Sequence, residues 1–466
     1  MTPWLPPALA YVPDWLAYQM RQSDQPGCVI AIAHKGRVVL EQAFGHADLA
    51  TGTKMTPRHR FRVASHSKSF TAASVLKLRE QGRLKLDDCV GDYVENLHPD
   101  IARATISQLL SHSAGIFRDG TDAGYWSARA PFPDAARLRR DLRQAPAIDA
   151  NTRFKYSNHG FALAGLVVEA VTGEPYAGWV QREIVARAGL KETSADIGKK
   201  TPLASGHSGK LPLGRRVVFP GDASTNAFAP ATGFVSTAAD LARYFSQLSP
   251  NARSGFLSLA SRREMTRPQW RDPYSAMEVT YGLGTNSGRL GSWDWFGHAG
   301  GFQGYITRTA CVPMHDLAVC VLTNASDGMA WPWLDGVLHI LKTFAERGKP
   351  SRMAAGWAGR WWSVWGAVDL VPMGDKVLVA SPGFWNPFLN VSELEITGRD
   401  DARIALAGGY ASHGEPARRV RGKSGSVTEL WLAGSRMVPE ARLAKELTTR
   451  YPGRQKNGGA SRHRQV

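Results

Sequence analysis

Short apolar runs separated by turns open the chain. Residues 28–33 are apolar, residues 34–37 read His-Lys-Gly-Arg, and residues 38–40 are apolar again. Runs of this length, bounded by turn residues, are typical of the two strands of a β-hairpin. The same arrangement returns at residues 310–312 and 317–322, which flank a Pro-Met-His-Asp turn. The sequence therefore predicts two hairpins that lie far apart along the chain.

Helical periodicity lies between the two hairpins. After Ser65, apolar residues recur about every three or four positions until Gly82 supplies a helix stop signal. The same period predicts helices over residues 161–171, 238–248 and 333–346. Ser65 is therefore predicted to stand at the beginning of a helix.

The pattern changes again after the last predicted helix. Residues 347–356 are polar and rich in helix breakers, so we expect a linker there. Short strands and turns follow and predict a small all-β domain. We expect the last residues to form a basic tail without regular structure. The predicted boundaries are a hydrolase-like domain at 1–346, a linker at 347–356, the β domain at 357–440 and the tail at 441–466.

Composition narrows the class of protein. The chain has 466 residues, of which 43% are hydrophobic and 21% charged, as in ordinary globular proteins. The net charge of +17 is spread over the body and the tail, which argues against a nucleic-acid groove. The sequence contains no apolar run long enough to span a membrane. Its first residues lack the basic start and apolar core of a secretory signal, so we expect a cytoplasmic protein without membrane or nucleic-acid partners.

The cysteines and histidines give no metal pattern. Cys28, Cys89, Cys311 and Cys320 are sparse and lack Cys-x-x-Cys spacing, which argues against a disulfide framework or a structural zinc site. Reduced thiols are the simplest interpretation, and a disulfide between Cys311 and Cys320 stays open. The histidines show no spacing typical of metal ligands, so we expect neither a metal nor an organic cofactor.

The first candidate for chemistry is Ser65-His66-Ser67-Lys68. A hydroxyl and an amine three positions apart at a helix start share one face, so a neutral Lys68 can activate Ser65 as a nucleophile. Burial and the positive end of the helix dipole both favour the neutral amine. The Ser65 N–H is also placed to stabilise an oxyanion. The motif alone is weak, because Ser74 and Lys77 repeat its spacing inside the same predicted helix.

The second candidate is Tyr156-Ser157-Asn158, which precedes a predicted helix. A phenol with a lowered pKa can relay protons between nucleophile and leaving group, and the Asn158 amide can orient Lys68 and a substrate carbonyl. A tyrosine packed in the core and an asparagine in a turn explain the same residues. Both interpretations stay open on this motif alone.

The third candidate is the His-Ala-Gly-Gly run at residues 298–301, after an aromatic strand. The glycines Gly300 and Gly301 permit a ligand to approach the backbone, so the Gly301 N–H is a candidate second oxyanion donor. His298 is a candidate for polarising or positioning a substrate. A competing His207-Ser208-Gly209 lies among Pro, Gly and Lys residues and is predicted to be a loop.

The order of these three elements resembles the penicillin-recognising serine hydrolases, the serine β-lactamases and penicillin-binding proteins. It is most similar to the class C β-lactamase-related branch, which includes D-aminopeptidases and esterases. The resemblance covers about residues 15–345. It implies an α/β (α+β) fold, with an antiparallel sheet flanked by helices and a helical subdomain. The C-terminal domain is similar to the small lipocalin-like barrels appended to some members. Further stretches that carry the resemblance are residues 61–65, 84–88, 109–115 and 233–241.

The resemblance also implies roles for individual residues. Ser65 would be the nucleophile, Lys68 the base or proton carrier, Tyr156 the general acid and base, and Asn158 the orienting amide. The oxyanion hole would consist of the Ser65 and Gly301 N–H groups, with Gly300 and His298 on the same strand.

One departure from the family pattern narrows the expected substrate. β-Lactamases and cell-wall peptidases usually carry Lys-Thr-Gly or Lys-Ser-Gly where this chain has His298-Ala299-Gly300, so the lysine that attracts the substrate carboxylate is missing. This argues against efficient β-lactamase activity. Our leading hypothesis is a serine hydrolase that cleaves an ester or amide of a small molecule or short peptide through a Ser65 acyl-enzyme. An acyltransferase and a non-catalytic ligand-binding or sensor protein are the alternatives, and self-association through the C-terminal domain stays open.

Overall fold

A computed structural model describes residues 2–197, 202–271, 273, 280–408 and 412–452. They form two compact units. One unit is Met20–Leu338, and the other joins Met1–Gln19 to the chain from His339 onward.

The first unit is built on antiparallel sheets. Its described strands are β1 Gly27–His34, β2 Arg37–Asp48, β3 Thr53–Lys54, β4 Phe61–Arg62, β5 Gly206–His207, β6 Val218–Phe219, β7 Val235–Ser236, β8 Trp270–Arg271, β9 Thr280–Tyr281, β10 Asn286–Leu290, β11 Trp293–Phe302, β12 Tyr305–Val312 and β13 Leu317–Thr323. The main sheet has the strand order β3-β2-β1-β13-β12-β11-β10-β9-β8. Two small additional sheets pair β4 with β7 and β5 with β6.

The helices of the chain, in order, are α1 Leu5–Ser23, α2 Ser67–Glu80, α3 Pro99–Ala102, α4 Ile106–Leu110, α5 Ala135–Asp141, α6 Asn158–Thr172, α7 Tyr176–Val180, α8 Ala238–Leu248, α9 Leu259–Thr266, α10 Ala330–Arg347, α11 Arg352–Ala355 and α12 Glu440–Arg450. Helices α2 to α7 form the helical region of the first unit. Helix α8 packs against β1 and β13.

Hydrophobic burial explains why the apolar runs become central strands. Every residue of β1 and β13 is buried. The two strands pair with Ile30 opposite Val321. A strand buried on both faces carries a continuous apolar run rather than an alternating one. Both predicted hairpins are therefore confirmed, as β1–β2 and β12–β13.

Helix ends follow local capping signals. The Thr237 hydroxyl accepts a hydrogen bond from the Asp240 N–H at 3.3 Å and begins α8 at the predicted residue. The Ser157 hydroxyl accepts from the Gly160 N–H at 2.8 Å and begins α6. Gly173 ends α6 with a φ of 74°, a left-handed conformation that favours glycine. The predicted helices over 161–171 and 238–248 are confirmed.

The second unit contains an antiparallel barrel that is nearly closed. Among the described residues its eight strands are β14 Gly359–Ser363, β15 Gly366–Met373, β16 Lys376–Ala380, β17 Ser392–Ile396, β18 Asp401–Leu406, β19 Pro416–Arg421, β20 Val427–Leu432 and β21 Ser435–Met437. Each strand pairs with the next one along the chain. A bridge between Trp362 and Val438 links the first strand to the residue just after the last one, which brings the two ends of the sheet together.

The beginning of α1 packs in this second unit, which the sequence does not predict. The Tyr11 hydroxyl donates to Asp369 at 2.9 Å, and the Gln19 amide donates to the Pro382 carbonyl at 2.6 Å. The predicted basic tail also differs, since α12 occupies its first part. The Glu446 carboxylate of α12 accepts hydrogen bonds from Arg436, which holds the helix against its own unit. Residues 453–466 lie outside the described residues, and the predicted domain boundaries stay predictions.

Cysteine pairing was left open by the sequence. Cys311 and Cys320 are both free thiols. They lie on neighbouring strands but out of register, with Cys311 opposite Ala318 and Cys320 opposite Thr309. Within the part of the chain that is described, no helix combines the length and apolar character needed to cross a bilayer.

Candidate active site

Ser65 lies in a 3₁₀ turn, Ala64–His66, that leads directly into α2. Ala64 has a φ of 46°, an uncommon conformation for a residue with a side chain. Two hydrogen bonds hold the turn, both at 3.0 Å: the Val63 N–H donates to the Phe234 carbonyl, and the Phe234 N–H donates to the side-chain hydroxyl of Ser67. The strained residue before Ser65 is therefore fixed by β7 and its neighbours.

Lys68 is fully buried, and its amine lies among three oxygen atoms. Its Nζ is 3.2 Å from Ser65 Oγ, 2.7 Å from Asn158 Oδ1 and 2.9 Å from the Ala231 carbonyl oxygen. A neutral amine has two N–H donors and one lone pair. The Asn158 amide oxygen and the Ala231 carbonyl oxygen can only accept hydrogen bonds, so they take the two N–H donors of the amine. The lone pair of the amine is then left to accept from the Ser65 O–H.

The surroundings of Lys68 favour that neutral form. Burial lowers the pKa of the Lys68 amine well below its usual value, and the Arg118 guanidinium lowers it further. The Asp119 carboxylate acts in the opposite direction, raising this pKa. Burial is the largest of these causes, because an ammonium ion loses its hydration inside the protein.

Tyr156 approaches Ser65 from the other side. Its hydroxyl donates to Ser65 Oγ at 2.8 Å. The sequence-based expectation of a lowered phenol pKa is wrong: burial raises the pKa of Tyr156 above its usual value. A buried phenol stays protonated, and its proton faces the nucleophile oxygen. Tyr156 is therefore arranged as a proton donor and relay rather than as a tyrosinate base.

Asp119 fixes the orientation of Asn158. The Asn158 Nδ2 donates to Asp119 Oδ1 at 2.7 Å, so the amide oxygen must point in the other direction, toward Lys68. The same Asp119 oxygen accepts from Trp126 Nε1 at 3.0 Å, and the second oxygen pairs with Arg118 at 3.0 Å. An ionised carboxylate only accepts hydrogen bonds, so it must face the NH2 group of Asn158 and not its oxygen. The sequence carries no motif around Asp119 that predicts this role.

His112 packs against the ring of Tyr156. Its ring centroid lies 4.1 Å from that of Tyr156, and its Nδ1 accepts a hydrogen bond from the Ser157 N–H at 3.1 Å. This bond requires the proton to be on Nε2, which is buried without a partner among the described residues. His112 has a φ of 60°, so the backbone is also unusual here. The residue lies in the stretch 109–115 that carries the family resemblance, but no chemical pattern singled it out.

The strand β11 passes directly beside the Ser65 turn. A Cβ added at Gly300 would lie 2.2 Å from the Val63 carbonyl oxygen and 2.8 Å from Thr307 Oγ1, so only glycine fits. His66 connects the same elements, because its Nε2 lies 3.0 Å from Thr309 Oγ1 on β12. The turn and the glycine strand are therefore held at a fixed separation.

Gly301 follows on the exposed side of this contact. The strand β10 pairs with β11 from Trp293 to Gly297. Past Gly297, no described strand covers this edge of β11, although β12 continues to pair along the opposite edge as far as Phe302. A Cβ at Gly301 would meet only Ile306 Cδ1, at 3.7 Å. This edge is open to a ligand at the predicted oxyanion position.

His298 is buried and does not bond to Ser65, Lys68 or Tyr156. Its Nε2 lies 2.9 Å from the Tyr281 hydroxyl. Burial lowers the pKa of His298 well below its usual value, so the ring is neutral. The structure brings His298 to the strand beside the site, but its side chain faces Tyr281, a tyrosine that no sequence motif marks.

The competing His207 lies elsewhere and is structural. It belongs to the short strand β5, not to a loop, which corrects the sequence-based expectation. The ring is fully buried, and its Nδ1 lies 2.8 Å from the Asn324 carbonyl oxygen. Pairing with β6 provides the strand that the surrounding Pro, Gly and Lys residues do not predict.

The sequence of this chain is similar to those of known proteins. Protein flp of Staphylococcus aureus (strain COL) is 29% identical over 186 residues, which are 38% of this chain and 36% of that protein. D-aminopeptidase of Brucella anthropi is 28% identical over 302 residues, 60% of this chain and 52% of that protein. The chain thus matches about a third to a half of the length of these curated relatives.

A solved structure is similar to this chain over most of its length. The octameric penicillin-binding protein homologue from Pyrococcus abyssi is 22% identical, with a TM-score of 0.64, and the match covers 92% of this chain and 99% of that chain. At this identity the likeness shows the fold. The family model described as Beta-lactamase matches residues 12–331, more than half of the sequence. This chain therefore belongs to the beta-lactamase family.

Proposed function

We propose that this protein is a serine hydrolase that cleaves an ester or amide bond of a small molecule or short peptide through an acyl-enzyme on Ser65. One observation carries the proposal. Ser65 Oγ lies 3.2 Å from a buried amine and 2.8 Å from a buried phenol, within a turn that begins a helix. A hydroxyl between a neutral base and a proton donor is the arrangement that nucleophilic catalysis requires.

Activation of Ser65 begins with Lys68. The lone pair of the neutral amine takes the Ser65 proton as Oγ attacks the substrate carbonyl carbon. The new O–C bond moves the carbonyl electron pair onto oxygen. The N–H groups of Ser65 and Gly301 are the proposed donors to that oxyanion, and the open edge of β11 supports the second assignment.

Collapse of this intermediate breaks the bond to the leaving group. Tyr156 gives its proton to the leaving nitrogen or oxygen, and the proton on Lys68 replaces the one lost from Tyr156. The raised pKa of Tyr156 suits a donor, because the phenol holds its proton until the leaving group needs it. Deacylation runs in reverse with water in place of the leaving group: the Lys68–Tyr156 pair takes a proton from water, and Ser65 regains one.

The His298-Ala299-Gly300 segment affects which substrates the site can bind. Where the resemblance implies a lysine, this chain has His298, which is buried and neutral. The site therefore offers no fixed positive charge at this position to a substrate carboxylate. We infer a preference for esters, amides or aminoacyl derivatives over β-lactams, in keeping with the similarity to a D-aminopeptidase.

Two further proposals concern the whole protein. We infer a cytoplasmic location, because the four cysteines are free thiols. We also infer that the protein self-associates through its barrel unit, whose Trp365 is 95% exposed. The octameric relative from Pyrococcus abyssi favours this idea. Sedimentation measures the oligomeric state of the wild type and of Trp365→Ser, and we expect the variant to dissociate. A wild type that sediments as a monomer, like the variant, would contradict the inference.

A covalent probe tests the nucleophile. Incubation with a fluorophosphonate, followed by peptide mass spectrometry, should place one adduct on Ser65 in the wild type and none in Ser65→Ala. Ser74→Ala is the matched control, because Ser74 begins the second Ser-x-x-Lys of the same helix and donates its hydroxyl to the Phe70 carbonyl. Labelling that persists unchanged in Ser65→Ala would overturn the proposal.

A substrate panel tests the reaction. We expect turnover of p-nitrophenyl esters or aminoacyl p-nitroanilides, with nitrocefin much slower. Free acid as the product supports a hydrolase, whereas a new ester or amide formed with an added alcohol or amine would mark an acyltransferase. A stoichiometric adduct that never turns over would mark a binding protein instead.

A further inference from the structure

A loop built around the 3₁₀ turn Gly124–Ser127 reaches across to both walls of the candidate site. On one wall, the Trp126 indole N–H donates to Asp119, which holds Asn158 beside Lys68. Trp126 is half-buried, so part of the residue remains accessible.

The same loop contacts the opposite wall. The Trp126 ring meets the Phe302 ring edge to face, with centroids 5.9 Å apart and an interplanar angle of 76°. Phe302 follows Gly301 directly at the end of β11. The Gln303 amide donates to the Tyr125 carbonyl at 2.8 Å and secures the loop to this strand. Trp126 therefore bridges from the Asn158 side to the Gly301 side of the site.

Rigid packing holds this aromatic pair in place. The Phe302 ring stacks on Phe132 with a centroid distance of 5.7 Å and an angle of 10°, and the Arg62 guanidinium covers it at 5.0 Å. Trp126 also meets Phe132 edge to face at 5.3 Å. A preformed aromatic surface loses little conformational entropy when a ligand binds.

The Asp119 carboxylate, which lies beside Trp126, already has partners for its negative charge. Asp119 accepts hydrogen bonds from Asn158 and Trp126 through one oxygen and pairs with Arg118 through the other. Its carboxylate has these partners before any substrate arrives. The wall next to Trp126 therefore suits an uncharged apolar group better than an ammonium ion.

We propose that Trp126, held in place by Phe302, forms the subsite for the acyl side chain and selects substrates whose acyl group carries an aromatic ring. This inference rests on the proposed function, because it deepens the specificity of the same nucleophile. An aromatic ring of the substrate packs against the accessible part of Trp126 while its carbonyl lies between Ser65 and Gly301. Such aromatic contacts carry about 0.5–1.5 kcal/mol beyond their buried area, which corresponds to a factor of about two to ten.

The experiment compares kcat/KM for p-nitrophenyl phenylacetate and p-nitrophenyl acetate, which share a leaving group. We expect the wild type to prefer phenylacetate by at least about tenfold and Trp126→Ala to lose most of that preference. Trp126→Phe keeps a ring but loses the N–H donor to Asp119. It should keep the preference within about threefold and slow both esters alike.

Controls separate this inference from the proposed function. Trp331→Ala removes another partly exposed tryptophan of the same unit, 39% exposed and stacked on Arg308, and should leave the ratio unchanged. Thermal unfolding checks that each variant folds. If both proteins turn over the esters and are labelled on Ser65, but the phenylacetate-to-acetate ratio of kcat/KM is the same in wild type and Trp126→Ala, the subsite alone is overturned. A wild type without turnover or labelling overturns the proposed function and the subsite with it.

Discussion

Asp119 accepts a hydrogen bond from Asn158 at 2.7 Å and so turns the amide oxygen toward Lys68, which lies 2.7 Å from it. This two-step contact couples a carboxylate to the general base without a direct bond between them. Asp119 also raises the pKa of Lys68, whereas Arg118 lowers it. The two neighbouring residues thus act on the same amine with opposite signs.

The first prediction uses this opposition. Lys68 must be neutral to accept the Ser65 proton, so activity rises as the pH passes the pKa of Lys68. Asp119→Asn removes the negative charge, which lowers that pKa and moves the acidic limb of kcat/KM to lower pH. Arg118→Gln removes a positive charge and moves the same limb to higher pH. The measurement is the pH profile of kcat/KM on a p-nitrophenyl ester.

A second effect distinguishes the two variants. Asp119→Asn replaces an acceptor-only carboxylate with an amide that can either accept or donate, so the orientation of Asn158 is no longer fixed and the maximal rate should fall by at least about tenfold. Arg118→Gln leaves that hydrogen bond in place and should change the maximum little. If the acidic limbs of the two variants shifted in the same direction, the assignment of Lys68 as the titrating base would be contradicted.

His112 gives the second prediction, for a positioning residue. His112→Leu leaves the buried Ser157 N–H without its acceptor, at a cost of about 1–3 kcal/mol, and removes the ring beneath Tyr156. We expect kcat to fall about tenfold or more while KM changes little, since substrate contacts remain. His112→Asn should unfold at a higher temperature than His112→Leu, because asparagine tolerates the positive φ. A rise in KM with kcat unchanged would place His112 in substrate binding instead.

Much of the fold could be predicted because its signals are local. The apolar run at 28–33 becomes β1, and α8 begins at Ala238, the first residue of the predicted helix. Such signals depend on a few neighbours along the chain. The packing of Tyr11 against Asp369 could not be predicted, because it joins residues far apart in sequence through tertiary contacts.

The site divides in the same way. Ser65 and Lys68 are three positions apart at a helix start, so their proximity follows from helical geometry. Asp119 and Tyr281 have no local pattern, since each acts through a partner that only folding brings near. The pKa of Tyr156 was expected to fall but is raised, because burial depends on surrounding elements that a motif does not describe.

The third prediction concerns the close approach of β11 to the Ser65 turn. Gly300→Ala places a Cβ 2.2 Å from the Val63 carbonyl oxygen, so the strand or the turn must move. We expect a loss of about 2 kcal/mol in the free energy of unfolding, together with loss of Ser65 labelling. Gly301→Ala is the matched control for stability, because its nearest atom would be Ile306 Cδ1 at an ordinary 3.7 Å. Equal unfolding temperatures for the two variants would show that the contact is not close.

The last prediction concerns the second unit, where Asp369 is 3% exposed and depends on its partners for compensation. Arg360 donates to it twice, at 2.6 Å and 2.8 Å, and Tyr11 donates once at 2.9 Å. Arg360→Met keeps an apolar stem of similar length but leaves a buried carboxylate without its counter-charge, which costs about 3 kcal/mol. Arg403→Met breaks the exposed pair with Glu395 and should cost less than about 1 kcal/mol. Urea unfolding followed by tryptophan fluorescence measures both variants. Equal losses would mean that water compensates Asp369 as well as the guanidinium does, and the burial argument would then fail.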